Sequence, residues 1–248
     1  MSRYKLTIQY DGTYFFGWQL QPNKRTVQGE VEKALMRFMN TLKRIPIHGS
    51  GRTDTGVHAI EQSAHFECTN RIQDLKKFLN SINYFLNKHE IAILKIKKRN
   101  LNFHARFSAK ERVYKYVIYN QFTKPIIKNK RGWFVIKKLD LDSMKRGAKN
   151  LVGNKDFSTF RASGCNAKSP IRLMKSIKIK KLKNKIEFEF RSQSFLKQQV
   201  RSMVGCLKYL GEKKWTLKKF VSVIQSKNRK LCAPPAPAEG LYLLKVNY

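Results

Sequence analysis

An aspartate, Asp54, lies in a glycine-rich segment, GSGRTDTGVHA at 49–59, whose residue types could carry covalent chemistry. The glycines allow backbone conformations that other residues rarely adopt, and they let a ligand approach closely. In an extended segment Arg52 and Asp54 point to the same side, and an arginine beside a carboxylate keeps it ionised. An ionised carboxylate can act as a nucleophile or as a base. The alternative is a structural turn, with Asp54 bonded to its own backbone and Arg52 on a phosphate.

Several common catalytic motifs are missing from the sequence. It contains no GxxxxGK[ST] phosphate loop, no GxGxxG dinucleotide fingerprint, no HExxH and no GxSxG nucleophile elbow. The segment HEIAI at 89–93 lacks the second histidine of a zinc motif. An enzyme that depends on ATP, NAD or zinc is therefore disfavoured, and we expect neither a cofactor nor a metal.

The chain is strongly basic. Its 52 Lys and Arg residues face 16 Asp and Glu residues, which gives a formal net charge of +36 over 248 residues. Such an excess predicts a polyanionic partner, most often nucleic acid, although lysines scattered over solvated faces would give the same count. No basic helix with a broad apolar face is visible, so a membrane surface is disfavoured.

The cysteines and the first residues of the sequence bear on its compartment. The four cysteines are far apart in sequence and form no CxxC pair, which is typical of reduced thiols rather than of disulfides or a zinc site. The opening MSRYKLTIQY alternates like a strand and has no signal-peptide core, and no apolar run reaches membrane-spanning length. We therefore expect a cytoplasmic protein without a membrane segment.

Hydrophobic periodicity predicts similar element orders in the two halves. In the first half, Thr26 is expected to cap a helix with an apolar face of Val27, Val31, Leu35, Phe38, Met39 and Leu42. The other elements of this half are strands at 4–10, 45–48, 58–67 and 90–99 and a helix at 74–86. The second half has strands at 111–120 and 240–248, a hairpin over 175–191 that turns near Lys183, and helices at 140–151, 194–210 and 216–226.

Each half thus follows strand, helix, two strands, helix, strand, which is the split βαβ order of ferredoxin-like domains. The predicted fold class is α+β, with two ferredoxin-like domains whose sheets are antiparallel and covered by helices on one side. The domains are expected over 1–107 and 108–248.

The segment at 49–59 closely resembles the catalytic motif of the tRNA pseudouridine synthase A family. Similarity to that family continues in order along nearly the whole chain. The matching segments are YDGTYFFGWQLQPNKRTVQGEVEKAL (10–35), ERVYKYVIYN (111–120), NKDFSTFRAS (154–163), SPIR (169–172), FLKQQVRSMVG (195–205) and APAEGLYLLKV (236–246).

The resemblance implies an enzyme that converts uridine to pseudouridine in tRNA. The bond between base and ribose is broken, the base is turned, and it is rejoined through carbon, with no redox carrier, ATP or metal. Asp54 matches the nucleophilic aspartate, whose attack on ribose or on base the sequence leaves open. The implied substrate is the tRNA anticodon stem-loop at positions 38, 39 and 40. The implied assembly is a homodimer with one tRNA bridging both subunits.

The resemblance assigns roles to two more residues. Tyr114 matches the tyrosine that stacks on the flipped uracil and could receive its C5 proton, whereas Tyr114 and Tyr116 on one strand face could also both be core. Arg201 matches the arginine paired with Asp54, although an arginine on an apolar helix could instead extend to solvent. Because these motifs divide between the halves, Asp54, Tyr114 and Arg201 are expected to converge in a cleft between the two domains.

Three further positions carry weaker assignments. Arg52 resembles the residue that fills the space around the flipped nucleotide and contacts phosphate. Leu241 resembles an apolar wall of the uracil pocket, whereas one leucine in a strand is more often plain core. Gln199 departs from the family pattern, which has an apolar residue there, and this bears on local packing rather than on Arg201.

Two other classes of protein fit the charge. A catalytically silent tRNA-binding protein would use the same basic surface, and a variant of Asp54 would then leave its function intact. A DNA-binding or ribosome-associated structural protein fits the net charge but gives the 49–59 loop and Tyr114 no purpose.

Overall fold

The computed structural model describes residues 1–127 and 131–248. Their contacts divide the chain into two compact units. Unit 1 comprises Met1–Lys110 together with Tyr242–Tyr248, and unit 2 comprises Glu111–Leu241. The domains expected from the sequence, 1–107 and 108–248, differ from this division in that residues 242–248, which hold most of the final strand, group with unit 1.

The strands of the described residues are β1 (Ser2–Tyr10), β2 (Ile47–Gly49), β3 (His58–Cys68), β4 (Ile91–Arg99), β5 (Glu111–Asn120), β6 (Trp133–Val135), β7 (Gly153–Asp156), β8 (Ile171–Leu182), β9 (Lys185–Ser192) and β10 (Leu241–Asn247). The α-helices are α1 (Val27–Phe38), α2 (Leu75–Leu86), α3 (Leu141–Lys149), α4 (Gln199–Gly211) and α5 (Leu217–Gln225). The fold is thus the α+β mixture predicted from periodicity.

Unit 1 has the ferredoxin-like strand arrangement. β1 pairs antiparallel with both β3 and β4, and β2 pairs antiparallel with β3, giving the order β4-β1-β3-β2. β10 adds to β3 in parallel, with Tyr242 opposite His58 and Leu243 opposite Ala59. Tyr4, Leu6, Ile8 and Tyr10 of β1 are all buried, as strand alternation predicts.

The predicted start of α1 is confirmed, and its predicted length is corrected. Thr26 is the N-cap, and its side chain accepts a hydrogen bond from the Gly29 N–H. Val27, Val31 and Leu35 are fully buried on the expected face. Leu42, also expected on that face, is 99% exposed because the helix ends at Phe38.

Unit 2 is built on antiparallel pairs in the order β5-β9-β8-β7, with β6 parallel to β5. The predicted hairpin is β8 and β9, and Lys183 at its turn has a left-handed φ of 50°. Asp140 caps α3 by accepting from the backbone N–H groups of Asp142 and Ser143. α4 begins at Gln199 rather than at the predicted 194, because Gln198 has a left-handed φ of 59°.

Two sequence expectations concern thiols and membranes. All four cysteines are free, and Sγ of Cys206 lies 3.5 Å from Sγ of Cys232, although these residues are 26 positions apart. Among the described residues, no helix is both long and apolar enough to cross a membrane.

Candidate active site

The Asp54 loop (residues 50–57, between β2 and β3) is packed against the segment that follows β1. Gly17, at a left-handed φ of 85°, lies so close that a Cβ there would be 2.5 Å from the Thr53 carbonyl oxygen. A Cβ on Gly12 would be 2.0 Å from the Val57 carbonyl oxygen. Because both distances are far below a normal contact, only glycine lets these backbones touch.

Hydrogen bonds fix both flanks of Asp54. The Trp18 N–H donates to the Thr53 carbonyl oxygen at 3.1 Å, and the hydroxyls of Tyr10 and Thr53 are 2.8 Å apart. On the other side, the Gly56 N–H donates to the Phe15 carbonyl oxygen at 3.3 Å, and the Val57 N–H donates to the Asp54 carbonyl oxygen at 3.1 Å. The half-buried carboxylate of Asp54 therefore projects from a backbone held on both sides.

A buried amide anchors the start of the loop. Gln62 on β3 is fully buried; its Oε1 accepts from the Ser50 hydroxyl at 2.7 Å, and its Nε2 donates to the Gly51 carbonyl oxygen at 3.0 Å. Gln62 was not among the site residues predicted from the sequence. Its signal was a glutamine within a strand, since an amide that is buried there needs hydrogen-bond partners.

Arg52 lies at the exposed edge of the loop. Its Nε donates to Oε1 of Gln19 at 3.1 Å, and Gln19 is itself exposed. The guanidinium is therefore accessible to an incoming anion, which fits either a role around a flipped nucleotide or a phosphate contact.

A second acidic residue, Asp11, supports the end of the loop. Nδ1 of His58 lies 3.0 Å from Asp11 Oδ1 and 3.0 Å from the Gly12 backbone nitrogen. Burial acts to raise the pKa of the Asp11 carboxyl, but hydrogen bonds from His58 and Thr13 outweigh it and hold that pKa well below its ordinary value. The His58 ring also stacks on Tyr242, 4.7 Å between centroids. Through these contacts His58 connects β3 to β10 and to the segment after β1.

Tyr114 and Tyr116 of β5 are both buried, but their surroundings in unit 2 differ. The Tyr116 hydroxyl donates to the Pro237 carbonyl oxygen at 2.8 Å, and its ring lies where a Cβ on Gly240 would be, so Tyr116 is a core residue. Tyr114 is 8% exposed and meets Phe195 edge to face at 5.0 Å. Phe195 belongs to the 195–205 segment that also carries Arg201.

Arg201 is half-buried in the first turn of α4, where it holds the proline-rich segment. Its Nε donates to the Ala236 carbonyl oxygen at 2.7 Å, and the Ala236 N–H donates to the Arg201 carbonyl oxygen at 2.9 Å. The two bonds tie residues 232–240 to the helix. Leu241, which follows this segment, is 7% exposed.

Gln199, the departure from the family pattern, is fully buried at the start of α4. Its Oε1 accepts from the Leu196 N–H at 2.8 Å, which satisfies a backbone donor just before the helix. Its Nε2 is buried and has no hydrogen-bond partner among the described residues. An apolar residue would leave the Leu196 N–H unpaired instead, so the glutamine exchanges one unsatisfied donor for another.

The candidate residues divide between the units. Arg52 and Asp54 share one loop of unit 1, whereas Tyr114, Arg201 and Leu241 belong to unit 2. Tyr114 and Arg201 are associated with one segment, 195–205, through the Phe195 contact and the position of Arg201 on α4. Convergence of all of them at one site stays a prediction.

Known proteins resemble this chain over its full length. A family model described as tRNA pseudouridine synthase matches residues 6–108 and 148–248. A tRNA pseudouridine synthase A of Pelagibacter ubique is 60% identical over 248 residues, covering 100% of both chains. Proteins of the same name from Parvibaculum lavamentivorans and Rhizobium meliloti are 42% and 40% identical, again over 100% of both chains. The loop that holds Asp54 lies inside the matched region, and the chain belongs to the tRNA pseudouridine synthase family.

Proposed function

We propose that this chain isomerises uridine to pseudouridine in tRNA, at positions 38, 39 and 40 of the anticodon stem-loop, with Asp54 as the nucleophile. Family membership over 6–108 and 148–248 supports the reaction class. The observation that carries the assignment of Asp54 is its loop, in which glycine contacts and hydrogen bonds fix both neighbouring backbones while the carboxylate stays partly accessible.

The reaction is an isomerisation, so no atom is gained or lost overall. The bond between ribose carbon 1′ and uracil N1 breaks, and a bond between carbon 1′ and uracil C5 forms. The C5 proton is lost and N1 gains a proton. A carboxylate that attacks the ribose or the base supplies the electron pair for the covalent intermediate and is regenerated at the end, which is why no cofactor is needed.

The other candidate residues take roles around Asp54 in this proposal. Tyr114 stacks on the flipped uracil, and in this proposal its hydroxyl receives the C5 proton. Arg201 orients the Asp54 carboxylate and keeps it ionised. Arg52, accessible at the loop edge, contacts phosphate beside the flipped nucleotide, and Leu241 forms an apolar wall of the uracil pocket.

The proposal includes an assembly. Two domains, at about the predicted boundary of 107 and 108, form an active-site cleft in which these residues meet. The enzyme works as a homodimer in the cytoplasm, with one tRNA bridging both subunits. The basic excess of the chain supports a tRNA partner, since its net charge of +36 suits a polyanion.

Replacement of Asp54 by asparagine tests the proposal. Asparagine keeps the size and the turn-forming ability of aspartate but removes the anionic oxygen, so we expect kcat to fall by about 10³-fold or more. The assay is tritium release from tRNA labelled at C5 of uridine. Thermal unfolding and tRNA affinity should stay close to the unmodified protein.

The other outcomes separate the alternatives. Release at the original rate by Asp54→Asn would remove the nucleophile assignment. Loss of release together with a collapsed unfolding temperature would make Asp54 a structural turn residue. Tight tRNA binding by the unmodified protein without any release would favour the catalytically silent tRNA-binding protein.

A further inference from the structure

A surface cavity of about 630 Å³ lies within unit 1, away from the Asp54 carboxylate. Most of the segment from Leu20 to Thr26, one side of α1 from Gly29 to Arg37, and the residues Phe85 and His89 line it. We call it the α1 groove. Its volume lies in the range of sites that hold a small molecule or one nucleotide, about 300–1,000 Å³.

The charges of the α1 groove are unbalanced. Lys24, Arg25, Lys33 and Arg37 line it together with one carboxylate, Glu30. Glu30 is already engaged, 3.1 Å from Lys33 Nζ and 3.8 Å from His89 Nε2. Among residues 1–127 and 131–248, no carboxylate forms an ion pair with Lys24, Arg25 or Arg37. The groove therefore presents cations that an anionic ligand could neutralise.

The floor of the groove is apolar and partly aromatic. Phe85 is half-buried there, beside Leu20 and Ala34. The Arg37 guanidinium lies 5.8 Å from the centroid of the Phe85 ring, so a cation and the aromatic part of the floor adjoin. An aromatic surface rimmed by cations is the combination that single-stranded nucleic acid uses, since the base stacks while the phosphates meet the charges. An acidic peptide would need the cations but not the aromatic floor.

The groove is preformed and joined to the Asp54 loop by hydrogen bonds. The Leu20 N–H donates to Gln28 Oε1 at 3.0 Å, which holds the groove wall on α1. The Phe16 N–H donates to the Arg25 carbonyl oxygen at 2.9 Å, and the next residue back, Phe15, accepts from Gly56 of the Asp54 loop. One continuous segment therefore supports both places.

We propose that the α1 groove binds one unpaired nucleotide of the RNA substrate, distinct from the uridine that reacts. The base packs on Phe85 and Leu20, and the adjoining phosphates meet Lys24, Arg25 and Arg37. That this nucleotide belongs to the RNA substrate rests on the proposed function. The groove raises the affinity for RNA and fixes the position of the RNA along the protein surface, and it takes no part in the bond rearrangement.

A charge-removal pair tests the phosphate contacts. The variant Lys24→Gln/Arg37→Gln is compared with Lys76→Gln/Lys77→Gln, which removes the same charge from exposed positions on α2 of the same unit. The groove variant should bind a tRNA transcript at least about tenfold more weakly than the control. Its slope of log K against log salt should be shallower by about 1.4, from roughly 0.7 per phosphate contact on a single strand. Pseudouridine formation at saturating tRNA should keep its kcat.

A second variant tests the base contact at constant charge. Phe85→Leu keeps an apolar floor but removes the ring, so tRNA affinity should fall about fivefold or more while the salt slope stays unchanged. Thermal unfolding of each variant monitors the fold.

Three results would overturn the proposal: groove variants that bind like the control, an equal loss in kcat, or competition by polyglutamate as strong as that of single-stranded RNA of equal charge. Failure of the proposed function is distinguishable, because the unmodified protein would then form no pseudouridine whatever the groove variants bind.

Discussion

The side chain of Asp54 owes its position to its neighbours. The Thr53 carbonyl oxygen accepts from the Trp18 N–H, and the Thr53 hydroxyl lies 2.8 Å from the Tyr10 hydroxyl. On the other side, the Gly56 N–H donates to the Phe15 carbonyl oxygen. Each of these bonds fixes backbone or a flanking side chain, so the backbone that carries Asp54 is held in place on both sides. A nucleophile needs this kind of rigid support, because a misplacement of about 1 Å can cost about 100-fold in rate.

Tyr114→Phe separates ring from hydroxyl at one residue. The phenyl ring keeps the stacking surface, so tRNA affinity should stay near normal, while pseudouridine formation should be impaired because the hydroxyl is gone. Single-turnover product formation and tRNA binding are the measurements. Tyr116→Phe is the matched control, because it removes a hydroxyl that bonds Pro237. That control should lose about 1 kcal/mol of stability and keep its turnover. Unchanged product formation by Tyr114→Phe would return its hydroxyl to a bystander role.

Arg201→Ala should lower kcat more than it weakens tRNA binding, since its proposed task is to orient and ionise Asp54. Some stability should also be lost with the Nε bond to Ala236. Arg229→Ala controls for that loss, because Arg229 in the same unit donates to the Ser202 hydroxyl at 2.7 Å and has no proposed catalytic role. Normal kcat with lost affinity in Arg201→Ala would make Arg201 a phosphate contact.

At the scale of elements, the segment after β1 supports the backbone of the Asp54 loop. Gly12 and Gly17 approach the loop backbone where a Cβ has no room. Val27 at the start of α1 donates its N–H to the Gly17 carbonyl oxygen at 3.2 Å, and Gln28 donates to that of Trp18 at 3.0 Å. The start of α1 thus fixes the position of the segment after β1, and that segment fixes the backbone of the Asp54 loop.

Gly17→Ala should therefore damage activity from outside the loop. The substitution is strained by about 1–2 kcal/mol at a left-handed φ, and its Cβ would push on the Thr53 carbonyl. Gly153→Ala is the control: its φ is 106°, but its Cβ would meet nothing closer than Lys155 Cε at 3.7 Å. Both variants should lose stability, and only Gly17→Ala should lose tritium release per folded molecule. Equal activity in the two would show that the loop does not depend on this contact.

Local signals explain which elements the sequence could predict. Thr26 before an apolar repeat of helical spacing marks α1, and Asp140 marks α3 in the same way. The start of α4 was wrong because Phe195 and Leu196 continue the apolar pattern of a helix, whereas the left-handed backbone of Gln198 depends on tertiary packing. The segment 49–59 could be singled out by its residue types alone. Its packing against Gly17 could not, because that contact joins residues far apart in sequence.

At the scale of the whole molecule, His65 of unit 1, which lies in a cluster of three histidines, links stability to pH. His65 of β3 is stacked with His48 of β2 at 5.1 Å and meets His104 edge to face at 4.6 Å. Burial, with His104, His48 and Arg3 nearby and Glu67 acting weakly against them, lowers the pKa of His65 from 6.5 to about 4. His65 Nδ1 also accepts from the Ala105 N–H at 3.1 Å, which suits the neutral ring.

The sign of the pH effect follows from proton binding. As pH falls below about 6.5 the unfolded imidazole gains a proton, whereas the folded one stays neutral until about 4. The unfolded state binds more protons in that window, so the free energy of unfolding should fall as pH is lowered and be fully restored above 6.5. Urea unfolding between pH 4 and 7.5 measures it. His65→Asn, which keeps an acceptor for Ala105, should show a weaker pH dependence; an identical profile would contradict the assignment.

The return of the chain to β3 has a consequence for biosynthesis. β10 pairs with the start of β3, and the Tyr248 hydroxyl lies 2.8 Å from both Ser63 Oγ and the Ala105 carbonyl oxygen, to which it can donate. Unit 1 is therefore completed by residues that the ribosome adds only after all of unit 2. A nascent chain holding the Asp54 segment but not yet residues 242–248 lacks the strand that flanks it. We expect such a chain to be inactive towards RNA, so that activity begins only once translation has passed both units.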